Sequence, residues 1–248
     1  MEMIAKKDDI GVTVEAFSQL YPRLYHMAHE DALASIQRHR LLSTSSILKM
    51  WEVKDPLRTS IDSRIRRETV EIWHPTHGRA VIRDQKPMRE SQLSRALVDC
   101  TPAEWCQLLN RKIFFWPSIE RLKTHMSARE NRGKKHLVLT VDARSFLSVY
   151  QENVTLCAMN SGNTIPFAHE RGRDSFMKMS EYPFQSRRNR GTYYTVVEVA
   201  LDTDIPDIVD FPMSANHMTA AGMSQEIGYQ VGRKKNTELF VLTLAQNN

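Results

Sequence analysis

Cysteine is scarce in this chain. Its 3 cysteines, Cys100, Cys106 and Cys157, include no C-x-x-C pair. Neither a disulfide framework nor a cysteine zinc site is therefore expected, and a reducing, cytoplasmic setting is the default. No run of 18 apolar residues occurs, which argues against a helical membrane span. Met1-Glu2-Met3-Ile4-Ala5-Lys6-Lys7 lacks the apolar core of a secretory leader. Glycine patterns that cradle phosphate are missing too. Neither G-x-G-x-x-G nor G-x-x-x-x-G-K-[ST] is present, so the usual dinucleotide and P-loop folds are not expected, and no G-x-S-x-G elbow marks a serine hydrolase. The histidine pairs His26/His29 and His74/His77 bring no further ligands at recognisable spacing, so no metal site is expected. Internal repeats and low-complexity tracts are lacking.

What is present is an ordinary globular composition, 41% hydrophobic and 25% charged over 248 residues, with a formal net charge of +5. That length can bury a sizeable core. The positive charge is clustered at Arg64/Arg66/Arg67, Lys134/Lys135, Arg171/Arg173, Arg187/Arg188/Arg190 and Arg233/Lys234/Lys235. Such clusters favour phosphate-bearing ligands or nucleic acid.

Several segments have a readable local structure. Asp31–Arg40 carries Leu33 and Ile36 at helical spacing, and residues 52–70 read as an exposed helix or mobile loop. Gly78–Ile82 reads as a strand, and Leu93, Ala96 and Leu97 mark a helix. Thr101-Pro102-Ala103-Glu104 combines an N-cap, a first-turn proline and a capping-box glutamate. Trp105, Leu108 and Leu109 supply that helix's buried stripe, and Cys106 lies within it as core. Buried strands are expected at Ile113–Trp116, Leu137–Val141 and Leu239–Leu244, and a long one at Thr192–Leu201. A helix with Ile119, Leu122 and Met126 follows the first of these. Residues 160–191 read as a long irregular stretch, a place where function is often carried. The expected architecture is α+β, a single domain with a central split or mixed β-sheet flanked by helices. Its parts are a flexible lead-in over 1–18, the domain proper over 19–212, and a less regular C-terminal extension over 213–248 that packs on the same domain.

Two residues carry the functional reading. Glu198 interrupts an apolar strand; it must be paired, sit at a sheet edge, or face a cleft as a general base or electrostatic stabiliser. His26 ends a short apolar run just before a helix, a geometry suited to a phosphate or ribose hydroxyl, although such a histidine also serves as core. Arg83 and Gln85 follow a strand and precede Pro87, where loops present side chains to ligands. Asn160-Ser161-Gly162 and Arg171-Gly172-Arg173 are further candidates for cradling phosphate.

Leu24-Tyr25-His26-Met27-Ala28-His29 through Ile36 and Leu41-Leu42-Ser43 resembles the opening motif of DarT-type ADP-ribosyltransferases. Gly78–Pro87 through Asn110–Pro117 resembles an uncharacterised bacterial family associated with that group. Val197-Glu198-Val199-Ala200-Leu201 with Ile205-Pro206-Asp207-Ile208 is similar to the segment holding the DarT catalytic glutamate. The resemblance spans roughly 20–210. It implies an ADP-ribosyltransferase-like fold, NAD as co-substrate, Glu198 as catalytic carboxylate and His26 at the NAD ribose. Tyr25 and Ser43, in the same opening motif, would join the NAD site. Phe115, with Phe114 and Trp116, would stack near nicotinamide or pack the core. DarT also uses an arginine after its first helix; Arg64, Arg66, Arg67 and Arg83 all compete for that role, with Arg83 leading. A DNA or RNA acceptor would be bound by Arg171, Arg173, Arg187, Arg188 and Arg190. A toxin or defence role with an antitoxin or immunity partner follows from the resemblance alone. The rival expectations are a non-catalytic nucleic-acid-binding protein and an NAD glycohydrolase.

Overall fold

The computed structural model describes residues 11–227, built from short helices and short strands. In chain order they begin with α1 (Val14–Leu20), β1 (Arg23–His29), α2 (Leu33–His39), α3 (Thr44–Met50), α4 (Leu57–Asp62), β2 (Val70–His74), β3 (Gly78–Ile82), α5 (Glu90–Ala96), α6 (Pro102–Asn110) and β4 (Ile113–Phe115). They continue with α7 (Ile119–Ser127), β5 (His136–Asp142), α8 (Ala143–Tyr150), β6 (Val154–Cys157), β7 (Phe176–Lys178), α9 (Phe184–Arg188), α10 (Thr192–Thr195), β8 (Glu198–Leu201), β9 (Pro212–Thr219) and β10 (Gly222–Ile227).

Side-chain caps account for many helix starts. Thr13, Ser43, Thr101, Ser118 and Asp142 each accept a backbone N–H from the first turn of α1, α3, α6, α7 and α8. At α6 the cap is reciprocal, because the Glu104 carboxylate accepts the Thr101 N–H at 2.8 Å.

The strands form two four-stranded sheets, ordered β1-β5-β9-β10 and β4-β8-β6-β7, and a separate β2-β3 hairpin. Named strands pair antiparallel throughout. The architecture is α+β, as expected, with antiparallel rather than mixed sheets among the described residues. The two sheets meet where Tyr25 and Trp116 exchange backbone hydrogen bonds of 3.0 and 2.8 Å. The main core fills with Phe17, Leu24, Phe115, Leu139, Phe146 and Leu201. Burying each such side chain contributes about 1.5–3 kcal/mol of transfer free energy.

Four expectations need correction. The flexible lead-in does not extend to residue 18, because α1 starts at Val14 and Phe17 is fully buried. Residues 52–70 are not uniformly exposed: Ile61 and Arg66 point inward and only 1% and 9% of their surfaces meet solvent. The described part of the segment from 213 packs on the same domain but is not less regular, since β9 is an internal strand between β5 and β10. Its polar Ser214 and Asn216 mask the strand pattern in the sequence. Lastly, Thr192–Leu201 is not one strand. Thr192–Thr195 forms α10 because buried tyrosines capture its backbone: Tyr21 Oη donates to the Thr192 carbonyl at 2.8 Å, and Tyr182 Oη donates to that of Thr195 at 2.5 Å. Tertiary contacts override the β-propensity of this segment. The expected strand at Leu239–Leu244 and the cluster Arg233/Lys234/Lys235 lie outside the described residues.

Candidate functional site

A cleft of about 350 Å³ opens where β1, the β2-β3 hairpin and the start of β8 converge. Its walls include His26, Ser43, Arg66, Arg83, Ser161 and Glu198. Residues drawn from the two ends of the sequence thus share one space.

His26 reaches this wall from the middle of β1. Its Nδ1 lies 2.9 Å from the Phe114 carbonyl. A carbonyl only accepts, so Nδ1 carries the proton and Nε2 keeps its lone pair. Burial and the nearby Arg83 charge push the imidazole pKa down to about 4, so the ring is neutral at physiological pH. His26 is therefore an oriented hydrogen-bond acceptor, a fitting partner for a ligand hydroxyl.

Glu198 opens β8, which is flanked by β4 and β6. Glu198 does not sit at a sheet edge, because β8 is an internal strand between β4 and β6. The side chain is 4% exposed, and its Oε2 accepts the Ser161 N–H at 3.1 Å. Burial raises its pKa to about 7, against the opposing pull of the Ser161 hydrogen bonds and of Arg171 and Arg121. A carboxylate poised near neutrality can act as acid or base.

Of the four competing arginines, the described residues of the cleft wall include Arg66 and Arg83, and neither Arg64 nor Arg67. Arg66 is committed to the scaffold: Nε donates to the Arg83 carbonyl, and Nη1 to the Ile61 carbonyl and Asn110 Oδ1, all at 2.8–2.9 Å. Burial lowers its pKa to about 10, which leaves it charged at pH 7. Arg83 donates through Nη2 to Asn131 Oδ1 at 3.0 Å. Asn131 in turn donates to His125 Nε2 at 3.1 Å and to the His125 carbonyl at 3.0 Å. The His125 ring packs on Trp116 with centroids 4.9 Å apart. Lys112, also on the wall, pairs with both Asp202 oxygens at 2.7 Å.

Other expected site residues fall elsewhere. Ser43 lines the cleft, but its hydroxyl caps α3 by accepting from Ser46 N, and its own N–H goes to Asp204 Oδ1 at 2.8 Å. Tyr25 and Phe115 do not line it: alternation along the strands turns them away. Tyr25 packs beside Met27 and Leu122, and Phe115 is fully buried against His26 and Phe146. Phe114 and Trp116, flanking Phe115, are on the wall instead. Gln85 is there too, with Oε1 accepting from Arg66 N.

The two expected phosphate cradles are occupied by the protein's own carboxylates. Ser161 N points at Glu198, and Arg173 N donates to both Asp99 oxygens at 2.9 and 3.1 Å. Arg171 cannot contact a nucleic acid, being 2% exposed with Nε and Nη1 bonded to the His169 and Ser161 carbonyls. Arg173 is exposed but paired with Glu104 at 3.0 Å. Arg187 is half-buried over the Tyr182 ring, whereas Arg188 and Arg190 are exposed.

Sequence reasoning missed His125 and Asn131. Asn131 sits in an ordinary polar turn after α7, and no spacing pattern distinguishes it. Lys112 does not stand out within Asn110–Pro117, because its salt bridge to Asp202 depends on a contact distant in sequence.

Among the described residues no group of three or more His, Cys, Asp or Glu could hold a metal, and no helix is long and apolar enough to cross a membrane. No curated protein matches the chain. Residues 22–212, which supply the cleft-wall residues named above, match the model of a family of unknown function, DUF7002, and the chain belongs to that family.

Proposed function

We propose that this protein is an NAD-dependent ADP-ribosyltransferase with an ADP-ribosyltransferase-like fold, related to the DarT group, and that its acceptor is a nucleic acid. One observation carries the reading: His26 and Glu198, each singled out in the sequence, stand on the walls of one cleft together with Arg83. The cleft volume lies within the roughly 300–1,000 Å³ common for small-ligand sites.

The residues suit the chemistry. Neutral His26 offers Nε2 to a ribose hydroxyl. Arg83 supplies the positive charge that a diphosphate needs. Transfer breaks the bond between ribose C1′ and the nicotinamide nitrogen, and the bonding pair leaves with nicotinamide. Ionised Glu198 offsets the positive charge that builds on the sugar. The acceptor's nucleophilic atom bonds to C1′ and loses its proton to Glu198. Exposed Arg188 and Arg190, and the net charge of +5, support a polyanionic acceptor. A toxin or defence role, with an antitoxin partner, rests on the family resemblance.

The test is incubation with labelled NAD and DNA or RNA, comparing wild type with Glu198→Gln. Wild type is expected to label the nucleic acid, and the variant to lose about 10²–10³ in rate. Wild-type activity should rise as pH passes about 7, where Glu198 ionises. Equal labelling by both proteins would overturn the role of Glu198. Release of free ADP-ribose without labelled acceptor would make the protein a glycohydrolase, and salt-sensitive nucleic-acid binding without NAD turnover would make it a binding module.

A further inference from the structure

Arg171 is not among the residues lining the cleft described above, and it is one of the largest fully buried side chains of the described residues. Its backbone is tied into a short parallel bridge beside α5: Arg171 N donates to the Ala96 carbonyl at 2.8 Å, and its carbonyl accepts from Val98 N at 3.1 Å. The guanidinium forks between two carbonyls, Nε to His169 at 2.9 Å and Nη1 to Ser161 at 3.0 Å, while the buried Nη2 has no hydrogen-bond partner among the described residues. Burying a cation this way is costly unless an anion compensates it. Burial disfavours the charged guanidinium, and two buried acids, the Cys157 thiol and the Glu198 carboxyl, act in the opposite sense.

We propose that Arg171 is a positioning residue for Glu198, which it places through the Ser161 backbone. Ser161 is the connection. Its carbonyl is held by Arg171 and its N–H is given to Glu198 Oε2 at 3.1 Å. Both groups flank one Cα, so fixing the carbonyl restricts the swing of the N–H. Ser161 is itself 2% exposed and has little room to relax. The same loop is clamped at its far side, where Thr164 N donates to the Pro87 carbonyl and Thr164 Oγ1 accepts from Arg89 N.

The charges around Glu198 come from several elements. Arg171 approaches from the strand-like segment after the loop, and Arg121 from α7. Cys157 lies directly opposite on β6, and its thiol is pushed up to about 12 by burial and by the Glu198 charge, so it stays neutral. Arg171 and Arg121 thus oppose the burial penalty on the carboxylate. Removing one such charge should raise the Glu198 midpoint by about one pH unit.

The catalytic consequence rests on the proposed role of Glu198, but the test reads Glu198 directly and uses no NAD. Protein labelled with ¹³C at the glutamate carboxyls is titrated by NMR, and the Glu198 resonance is identified by its loss in Glu198→Gln. In Arg171→Gln the midpoint should rise by about one unit, and the Ser161 amide should lose hydrogen-exchange protection. Arg171→Lys keeps a charge but cannot fork between two carbonyls. It should lose Ser161 protection with a smaller midpoint rise, and it serves if the glutamine variant does not fold. An unchanged midpoint and unchanged protection in either folded variant overturns the proposal. If the titration shifts while Glu198→Gln still labels nucleic acid normally, the positioning relation stands and the transferase reading fails. If Glu198→Gln loses labelling but the titration does not shift, the transferase reading stands and Arg171 has no part in it.

Discussion

The Arg83 guanidinium donates to Asn131 Oδ1 at 3.0 Å, and the Asn131 amide passes the contact on to His125. Asn131 is 5% exposed, so water cannot readily replace it. The chain of contacts fixes a cation that would otherwise have several rotamers in an open cleft. It also holds His125 neutral beside Arg83, since burial and the Arg83 charge press that imidazole down to about 3.

Replacing Asn131 should therefore reach the site through Arg83. Asn131→Ala is expected to lower kcat about 10- to 100-fold, the scale of a small misplacement of a working group. Leaving buried partners unpaired should cost about 1–3 kcal/mol of stability. Steady-state kinetics and urea unfolding on the same preparation check both. Full kcat in a destabilised variant would reduce Asn131 to a packing residue.

His26 carries a sharper expectation, because its tautomer is set by the Phe114 carbonyl. His26→Phe keeps an aromatic ring but removes the Nε2 acceptor. NAD affinity should fall about tenfold, the value of one hydrogen bond. Calorimetric titration with NAD, beside a thermal melt, measures it. Because the ring stays neutral down to about pH 4, wild-type affinity should not change through His26 between pH 5.5 and 8. An unaltered affinity in folded His26→Phe would make the histidine a core residue.

What was legible in the sequence was local. The Thr101–Glu104 capping box and the buried strand around Leu137–Val141 depend on neighbours along the chain, and both stand as read. Helix α2 and strand β3 were readable for the same reason. Glu198 and His26 could be singled out as chemically odd in apolar surroundings. Features set by distant partners were not readable. Helix α10 owes its form to the hydroxyls of Tyr21 and Tyr182, and β9 hides polar residues inside a sheet. Arginine type alone suggested a surface for Arg171, while the structure gives it carbonyl partners in the interior. The choice between Arg83 and its neighbours also required three dimensions, because only the fold shows which guanidinium already serves the scaffold.

Acid should destabilise this protein earlier than carboxylate titration alone would. Burial lowers His26, His125 and His136 from 6.5 to about 4, 3 and 4. Between these values the unfolded chain binds protons that the folded one refuses, so stability is lost as pH falls from 6.5 towards 4. Glu198 acts in the opposite sense. Its pKa is raised from 4.5 to about 7, so its contribution is full below 4.5 and disappears as pH rises through 7. In the window from 4.5 to 6.5, these three buried histidines against one glutamate leave a net uptake of about two protons on unfolding, to which His77, also lowered, adds in the same sense. Glu198→Gln removes the opposing group. Its acid limb should be steeper, with about three protons taken up, and its stability should no longer decline across pH 7. Urea unfolding of both proteins from pH 4.5 to 8 measures the two slopes. Parallel curves would mean that Glu198 has the same proton affinity folded and unfolded, contrary to its burial beside Ser161.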